Sequence, residues 1–404
     1  MATKFRFKNA AGTTVDFEDY YVRADYFRSG NLWTWGRNYA GQLGDNTTVA
    51  KSSPVQTIAW GSNWKQISCN SATNTVAIKT DGTLWCWGKN GYGQLGDNTI
   101  VSKSSPVQTV AFGTNWKQVS CGTGIGNGIQ SHVAAIKTDG TLWMWGLNGY
   151  GQLGDNTTTK RSSPVQTIAG GTNWQQVSCG RQQTAAIKTD GTLWCWGQGS
   201  SGVLGDNTIT NKSSPVQTVA FGTNWKQVSC GTYGAIGAIK TDGTLWTWGI
   251  GGSGQLGDNT ITDKSSPVQT VAFGTNWKQV SGGNNKIAAI KTDGTLWTWG
   301  YNGNGVLGDN TITNKSSPVQ TVAFGTNWKQ VSNSGLIMGA TKTDGTLWMW
   351  GTNGGVANNR GGLGDNTNTN RSSPVQTIMY GTNWKEVNCG YCYTAAIQYQ
   401  DDYQ

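Results

Sequence analysis

Apolar and polar positions alternate in short runs along this chain, and the runs recur. Leu-Trp-x-Trp places its large apolar residues two apart, the period of a strand that turns one face inward. It begins at Leu32, Leu84, Leu142, Leu193, Leu245, Leu296 and Leu347, about every 51 residues, a spacing that belongs to solenoids, propellers and arrays. Each copy ends in Gly and is followed by Leu-Gly-Asp-Asn-Thr, then Ser-Ser-Pro-Val-Gln, then Asn-Trp. Ahead of all copies but the first stands Thr-Asp-Gly-Thr, as at Asp81-Gly82 and Asp139-Gly140. Asp-Gly between apolar runs predicts a hairpin, with positive φ expected at both central residues. Pro-Val-Gln-Thr-Val and Trp-Lys-Gln-Val-Ser supply two further strands, with the proline expected at a strand entrance. Four strands in each of seven units, and no helical period, predict an all-β, seven-bladed β-propeller with four-stranded blades. The small residues near Ala-Ala-Ile and Ser-Cys-Gly are expected on a crowded inner strand beside a central channel.

Tryptophan is the expected adhesive. Of 22 Trp, 14 lie in Leu-Trp-x-Trp, seven follow Asn, and only Trp60 falls outside. A buried aromatic removes roughly 150–250 Å² from water, so three per unit can cement neighbouring blades. A length of 404 residues ordinarily predicts two or three domains. A closed ring of repeats makes one instead, here residues 30–404, preceded by an extension at 1–29.

Charge changes the picture little. Charged residues are 13% of the chain and the formal net charge is +9. A positive balance permits an acidic partner. Yet the cations recur at fixed positions, such as Lys79 and Lys137 after Ala-Ile or Lys51 and Lys103 before Ser-Ser-Pro. That reads as solvated strand ends, and nucleic acid is not the expected partner. No run matches a secretory signal or a membrane span. Five of the eight cysteines share one repeat slot, where Gly282 and Asn333 also stand. The slot therefore asks for a small residue, and reduced, buried thiols are expected. Cys389 and Cys392 form a lone CxxC beside a single histidine in the chain, His132. Neither zinc nor any other cofactor is expected.

The run Leu-Trp-x-Trp-Gly-x-Asn-x-x-Gly-Gln-Leu-Gly, with Pro-Val about ten residues on, resembles the repeat of RCC1-type (regulator of chromosome condensation) propellers. Asn38 to Gly44 and Asn90 to Gly96 match it closely, and the likeness runs from about residue 30 to 397. It implies seven blades and one blade shared by both chain ends. The sequence agrees, since Ala395-Ala396-Ile397 has no Leu-Trp-x-Trp after it and Leu32 has no full Ala-Ala-Ile-Lys before it. The ring is expected to close there.

No catalytic constellation is visible. A nucleophile–base pair needs a histidine, and His132 sits in a Gly-rich insertion. The Asp of Leu-Gly-Asp-Asn-Thr, one per repeat from Asp45 to Asp365, reads as a turn residue rather than a calcium ligand. The chain is expected to be no enzyme. Recognition is expected where the repeat breaks, because a partner rarely matches seven equal blades. Three departures supply candidates. The extension 1–29 carries Phe5, Phe7, Phe17, Tyr20 and Tyr21; the insertion 122–132 carries Ile125, Asn127 and His132; the last unit carries Val356, Asn359 and Arg360. An interrupted ring of aromatics (Trp60, Phe112, Phe221, Phe273, Phe324, Tyr380) reads as packing between blades. The expected function is a structural or interaction propeller with protein partners. Near-identical repeats resemble the bacterial and phage versions, which implies a virion component, a capsid decoration or tail-associated protein held through residues 1–29, and otherwise a cytoplasmic protein. Two alternatives stand beside it: a lectin-like module for surface glycans, and the nucleotide-exchange and chromatin-binding role of eukaryotic RCC1.

Overall fold

A computed structural model describes residues 6–8, 14–16, 30–58, 61, 63–69, 73–111, 113–123, 131–169, 171–219, 222–272, 274–323, 325–354, 361–379 and 381–399. These include seven four-stranded antiparallel sheets and a two-stranded hairpin, Arg6–Lys8 with Thr14–Asp16. The only helical segments among them are single 3₁₀ turns at Ser200–Gly202 and Gly303–Gly305. The second blade shows the plan: Trp64–Ser68, Asn74–Lys79, Leu84–Gly88 and Lys103–Gln108, each pairing with the next. Five further blades follow in chain order. The first is composite. Its strands Trp384–Cys389 and Tyr393–Tyr399 come from one end of the ring, and Gly30–Gly36 and Lys51–Gln56 from the other. Seven residue pairs, Gly30↔Tyr399 to Gly36↔Tyr393, join the halves, so the ring closes where expected.

Of the two small-residue runs expected at the axis, Ser-Cys does end the innermost strand, Trp-Lys-Gln-Val-Ser-Cys, whereas Ala-Ala-Ile lies second. Glutamine explains the choice. In six blades its Oε1 accepts the Val N–H of the next blade at 2.9–3.1 Å, while its Nε2 donates to that Val's carbonyl at 2.8–3.5 Å. The Ser two residues on accepts the next Cys, Gly or Asn N–H at 2.8–3.0 Å. The composite blade replaces these two with Glu386, which takes a hydrogen bond from the Ile67 main chain, and Asn388, which accepts Cys69 N–H at 2.9 Å. Together these side chains wall a polar axial cavity of about 220 Å³.

Blades adhere through the second Trp of Leu-Trp-x-Trp. Trp87 is fully buried and donates its Nε1–H to Gln42 O of the preceding blade at 2.9 Å. Gly44 lies against that indole with φ +68, and a Cβ there would come within 2.7 Å of Nε1. The Gly of Leu-Gly-Asp is thus required by the Trp of the next blade. The same pairing closes the ring, Gly364 lying on Trp35 and Trp35 donating to Gly362 O at 2.9 Å. The Trp after Asn packs on it at 6.0–6.4 Å between centroids.

Three local expectations change. In the Asp-Gly turn only Gly takes positive φ, +80 at Gly82. Gly82 N donates to Lys79 O and Lys79 N to Thr83 O, which is a three-residue loop with the αL residue in a bulge. Asp81 accepts the Thr83 N–H and hydroxyl instead of bending itself. Proline sits inside the outermost strand, at Pro54 within Lys51–Gln56, beside a break in register between Thr34 and Gly36. An edge strand tolerates it, since no neighbour needs its missing N–H. Both lysine families have partners. Lys79 lies 5.0 and 4.8 Å from the Trp64 and Trp85 rings, and five further blades repeat that sandwich. In those six blades the first Trp of Leu-Trp-x-Trp thus stacks on a cation at the rim and stays half-buried; the composite blade has Gln398 in the lysine slot.

Candidate functional site

The candidate chemical groups resolve into scaffold. Asp45 Oδ1 accepts Asn38 Nδ2, Thr47 N and Thr47 Oγ1 at 2.8–3.0 Å, and Oδ2 pairs with Lys51 at 3.8 Å. Five other repeats make the same ion pair, with Arg161 and Arg371 the closest at 2.8 and 2.9 Å. These Asp are turn residues with charges already matched. Among the described residues no group of His, Cys, Asp and Glu is arranged to hold a metal. All eight cysteines are buried free thiols, and burial raises those of Cys69, Cys86, Cys179 and Cys195 well above the ordinary value. His132 is fully buried, with Nε2 2.9 Å from Thr184 Oγ1. Burial lowers its pKa to about 3, so it is a neutral interior residue and not the surface contact the sequence reading made it.

Of the other sequence candidates, Phe7 lies in the strand Arg6–Lys8. Phe5, Phe17, Tyr20, Tyr21, Ile125, Asn127, Val356, Asn359 and Arg360 lie outside the described residues, as do Trp60, Tyr380 and the rest of the interrupted aromatic ring. The ends of both irregular loops are described, and they share one face. Thr123 and Ser131 bound the first-to-second-strand loop of their blade, and Gly354 and Gly361 bound the third-to-fourth-strand loop of theirs. In antiparallel blades these two connections leave from the same side.

On that side the repeat breaks down. The residue after Leu-Trp-x-Trp-Gly is Arg37, Lys89, Leu147, Gln198, Ile250, Tyr301 and Thr352, different in every blade. The residue opening the second strand is Tyr393, Asn74, His132, Gln183, Ala235, Lys286 and Ile337, again seven kinds. The two positions are neighbours. The second-strand residue pairs across the sheet with the motif Gly, as in His132↔Gly146, and is buried in every blade. The residue after that Gly donates its N–H to the end of the first-to-second-strand loop, as Arg37 does to Cys392 O at 3.0 Å and Tyr301 to Asn285 O at 2.8 Å. Main-chain bonds fix the backbone of this layer in every blade, so the side chain can differ from blade to blade: His132 meets Thr184 Oγ1, Gln183 Nε2 donates to Gly231 O and Lys286 Nζ to Gly335 O.

The resulting mouth is aromatic and basic. Tyr39 is 39% exposed, with the Arg37 guanidinium 4.2 Å from its ring centroid. Arg181 stands 6.0 Å from the Tyr233 ring. Burial raises the phenol of half-buried Tyr391, which lies within electrostatic reach of Cys392, Tyr233, Arg37 and Tyr301. Neither variable position holds Asp or Glu in any blade. Among the described residues the acids of this side are those of Leu-Gly-Asp-Asn-Thr, six of them ion-paired and mostly covered, and the exposed Asp263, which accepts the Gly251 N–H at 2.9 Å. Sequence reasoning missed Arg37, Arg181, Tyr233, Tyr301 and Tyr391 because it sought insertions. The signal was substitution at constant length, visible by aligning the seven repeats on Leu-Trp-x-Trp-Gly.

A closed ring of seven Trp-bonded blades with one variable mouth defines an RCC1-like propeller. The family model of the RCC1-like domain matches residues 26–283, and that of the regulator of chromosome condensation (RCC1) repeat matches 293–335. Ultraviolet-B receptor UVR8 of Arabidopsis thaliana is 31% identical over 355 residues, 85% of this chain and 77% of that protein. The chain belongs to the RCC1-like domain family. The mitochondrial RCC1 domain-containing protein RUG3 of the same plant is 28% identical over 79% of this chain and 77% of its own length. Human WBSCR16 superposes with a TM-score of 0.77 at 21% identity, covering 92% of this chain and all of that one. Prp20p of Saccharomyces cerevisiae gives 0.78 at 17%, covering 94% and 95%. These two structures share the fold.

Proposed function

We propose that this protein is a non-enzymatic recognition propeller that takes a protein partner on the mouth bearing Arg37, Tyr39, Arg181, Tyr233, Tyr301 and Tyr391. One observation carries the reading: blades that are otherwise closely alike diverge at adjoining positions of one face, where main-chain bonds fix the backbone whichever side chain stands there. Tyr and Arg are the residue types that concentrate binding energy at protein interfaces. Prp20p, described with its binding to Gsp1p and histones, is a relative of the same fold that meets proteins. Gly30 and Tyr399, which lead to residues 1–29 and 400–404, lie at the opposite face, since both paired strands end there. Attachment through residues 1–29 therefore turns the mouth outward.

The test places a photo-crosslinker at position 391, or at position 312 on the exposed outer rim, in the native source. A protein captured from 391, and lost with Arg37→Ala plus Tyr391→Ala, is the expected result. Equal capture from both positions, or capture that survives both substitutions, overturns the proposal. Within this reading the near-identity of the repeats favours a virion component, capsid decoration or tail-associated. Mass spectrometry of purified particles tests it, and particles without the protein sink it.

A further inference from the structure

Between the fourth and fifth blades the mouth is cut by a cavity of about 140 Å³. Its lining includes Arg181, Gln198, Val203, Thr232, Tyr233 and Ile250, and Arg181 brings its one formal charge among the described residues. Gln183 also lines it but is spent on structure: its Nε2 donates to Gly231 O at 3.2 Å and its Oε1 accepts Gln182 N–H at 3.1 Å. Thr232 is different. It is 2% exposed, its main-chain N–H is given to Gly283 O, and its Oγ1 has no hydrogen-bond partner. A buried hydroxyl left unmatched costs free energy; other threonines, Thr123 at the same slot among them, are likewise unmatched, but Thr232 also lines a cavity beside a guanidinium.

The groups left over share a character. The Arg181 guanidinium only donates, while the Thr232, Ser200 and Tyr233 hydroxyls and the Gln182 and Gln198 amides can donate as well as accept. Val203 and Ile250 supply apolar wall. A ligand that suits this set is acceptor-only at its tip and carries a short hydrocarbon stem. A volume near 140 Å³ is far below the roughly 300–1,000 Å³ of drug-sized ligand pockets, and fits a single side chain. The aligned slot after Cys-Gly holds Thr123, Thr232 and Tyr391 in other blades, so the guanidinium belongs to this station alone.

We propose that this cavity is a carboxylate pocket that receives a glutamate side chain of the partner protein. Arg181 pairs with the carboxylate, Thr232 donates its hydroxyl to it, and Val203 and Ile250 cover the methylenes. The assignment rests on the reading of this mouth as the recognition face.

The experiment uses the full chain, isotope-labelled, with the main-chain amides of Thr232 and Gly234 followed by NMR. Titration with the capped peptide acetyl-Gly-Glu-Gly-amide is expected to shift both amides saturably in the millimolar range. The Gln peptide should bind at least about tenfold more weakly, because it loses the charge-assisted pair. Arg181→Gln should abolish the Glu-peptide shift, and Thr232→Val should weaken it about threefold. Arg181 is half-exposed, so Arg181→Gln should keep the wild-type melt. Equal binding of the two peptides, an unchanged response in Arg181→Gln, or tighter binding of inorganic phosphate than of the Glu peptide overturns the proposal. A failed peptide titration beside successful crosslinking from position 391 removes the pocket and leaves the recognition face standing. The reverse pattern removes the face as a protein contact.

Discussion

The two faces of the ring are built on opposite principles. On the face of the Asp-Gly turns the side chains hold the structure: Asp81 caps its own turn, Thr83 accepts the Trp85 indole N–H, and Lys79 is clasped between two tryptophans. Each residue is needed, and the blades repeat. On the other face the inner layer is held by main-chain bonds such as Arg37 N to Cys392 O. No single side-chain type is needed there, and the blades differ. Variation is concentrated where the same main-chain bonds form whatever the side chain, and the proposed recognition uses the room this leaves.

The sharpest way to break that contrast is at closure. Deleting residues 395–404 removes the strand that Gly30–Gly36 pairs with, and should cost most of the cooperative melt seen by calorimetry. Trp35→Ala, at a fully buried indole bonded to Gly362 O, should cost about 3–5 kcal/mol in chemical denaturation. A loss under about 1 kcal/mol would mean that the blades do not depend on these tryptophans.

The buried variable layer gives smaller, signed effects. Lys286 is fully buried, with Nζ donating to Gly335 O at 2.6 Å, and burial lowers its pKa from 10.5 to about 7. Between those values the unfolded chain binds a proton that the folded one has shed. Its contribution therefore rises with pH from about 7 to about 10.5, and is unfavourable at neutrality. Lys286→Ile, the type its neighbour Ile337 already uses, should stabilise the protein by roughly 1–2 kcal/mol at pH 7, with the gain fading toward pH 10.5. A gain that does not change with pH refutes the assignment.

Glu386 carries the opposite sign. Withdrawal from water raises its carboxyl to about 7, against the weaker pull of Lys385 and the Ile67 main-chain bond. The folded chain holds the proton from about pH 4.5 to 7 while the unfolded chain gives it up, so stability falls as pH rises through that window. The glutamine clamp of the other six blades shows why the neutral acid is preferred: a carboxylate has no N–H or O–H to offer the next carbonyl. Glu386→Gln should flatten this slope, with a gain near 1 kcal/mol at pH 8 because Glu386 is half-buried on a polar wall. Arg37→Ala and Tyr391→Ala are the smallest in stability, within about 0.5 kcal/mol of wild type, with their effect reserved for binding.

The fold was legible because its determinants are local and repeated seven times. Leu-Trp-x-Trp, Asp-Gly and the unpaired Ala395-Ala396-Ile397 carry strand, turn and closure in their own residues. Ser-Cys was rightly expected beside the axis, but Ala-Ala-Ile was misplaced there because small size was taken as the mark of the axis, whereas Gln66 and its equivalents are there to bridge blades. Pro54 was misplaced because an edge strand tolerates proline anywhere that no neighbour waits. The site was less legible. Arg181, Tyr233 and Tyr391 come together only when blades are set side by side, and an unmatched hydroxyl such as Thr232 Oγ1 exists only in three dimensions.

The composite blade also sets a timetable. Gly30–Gly36 leaves the ribosome long before its inner neighbour Tyr393–Tyr399, which follows all the intervening blades in the chain, is translated. Throughout that interval the nascent chain carries an open, Trp-bearing strand edge of the kind that invites mispairing. Crowded polysomes should therefore be the dangerous place for this protein, and slowing translation should lengthen its exposure to chaperones before the last strand snaps shut.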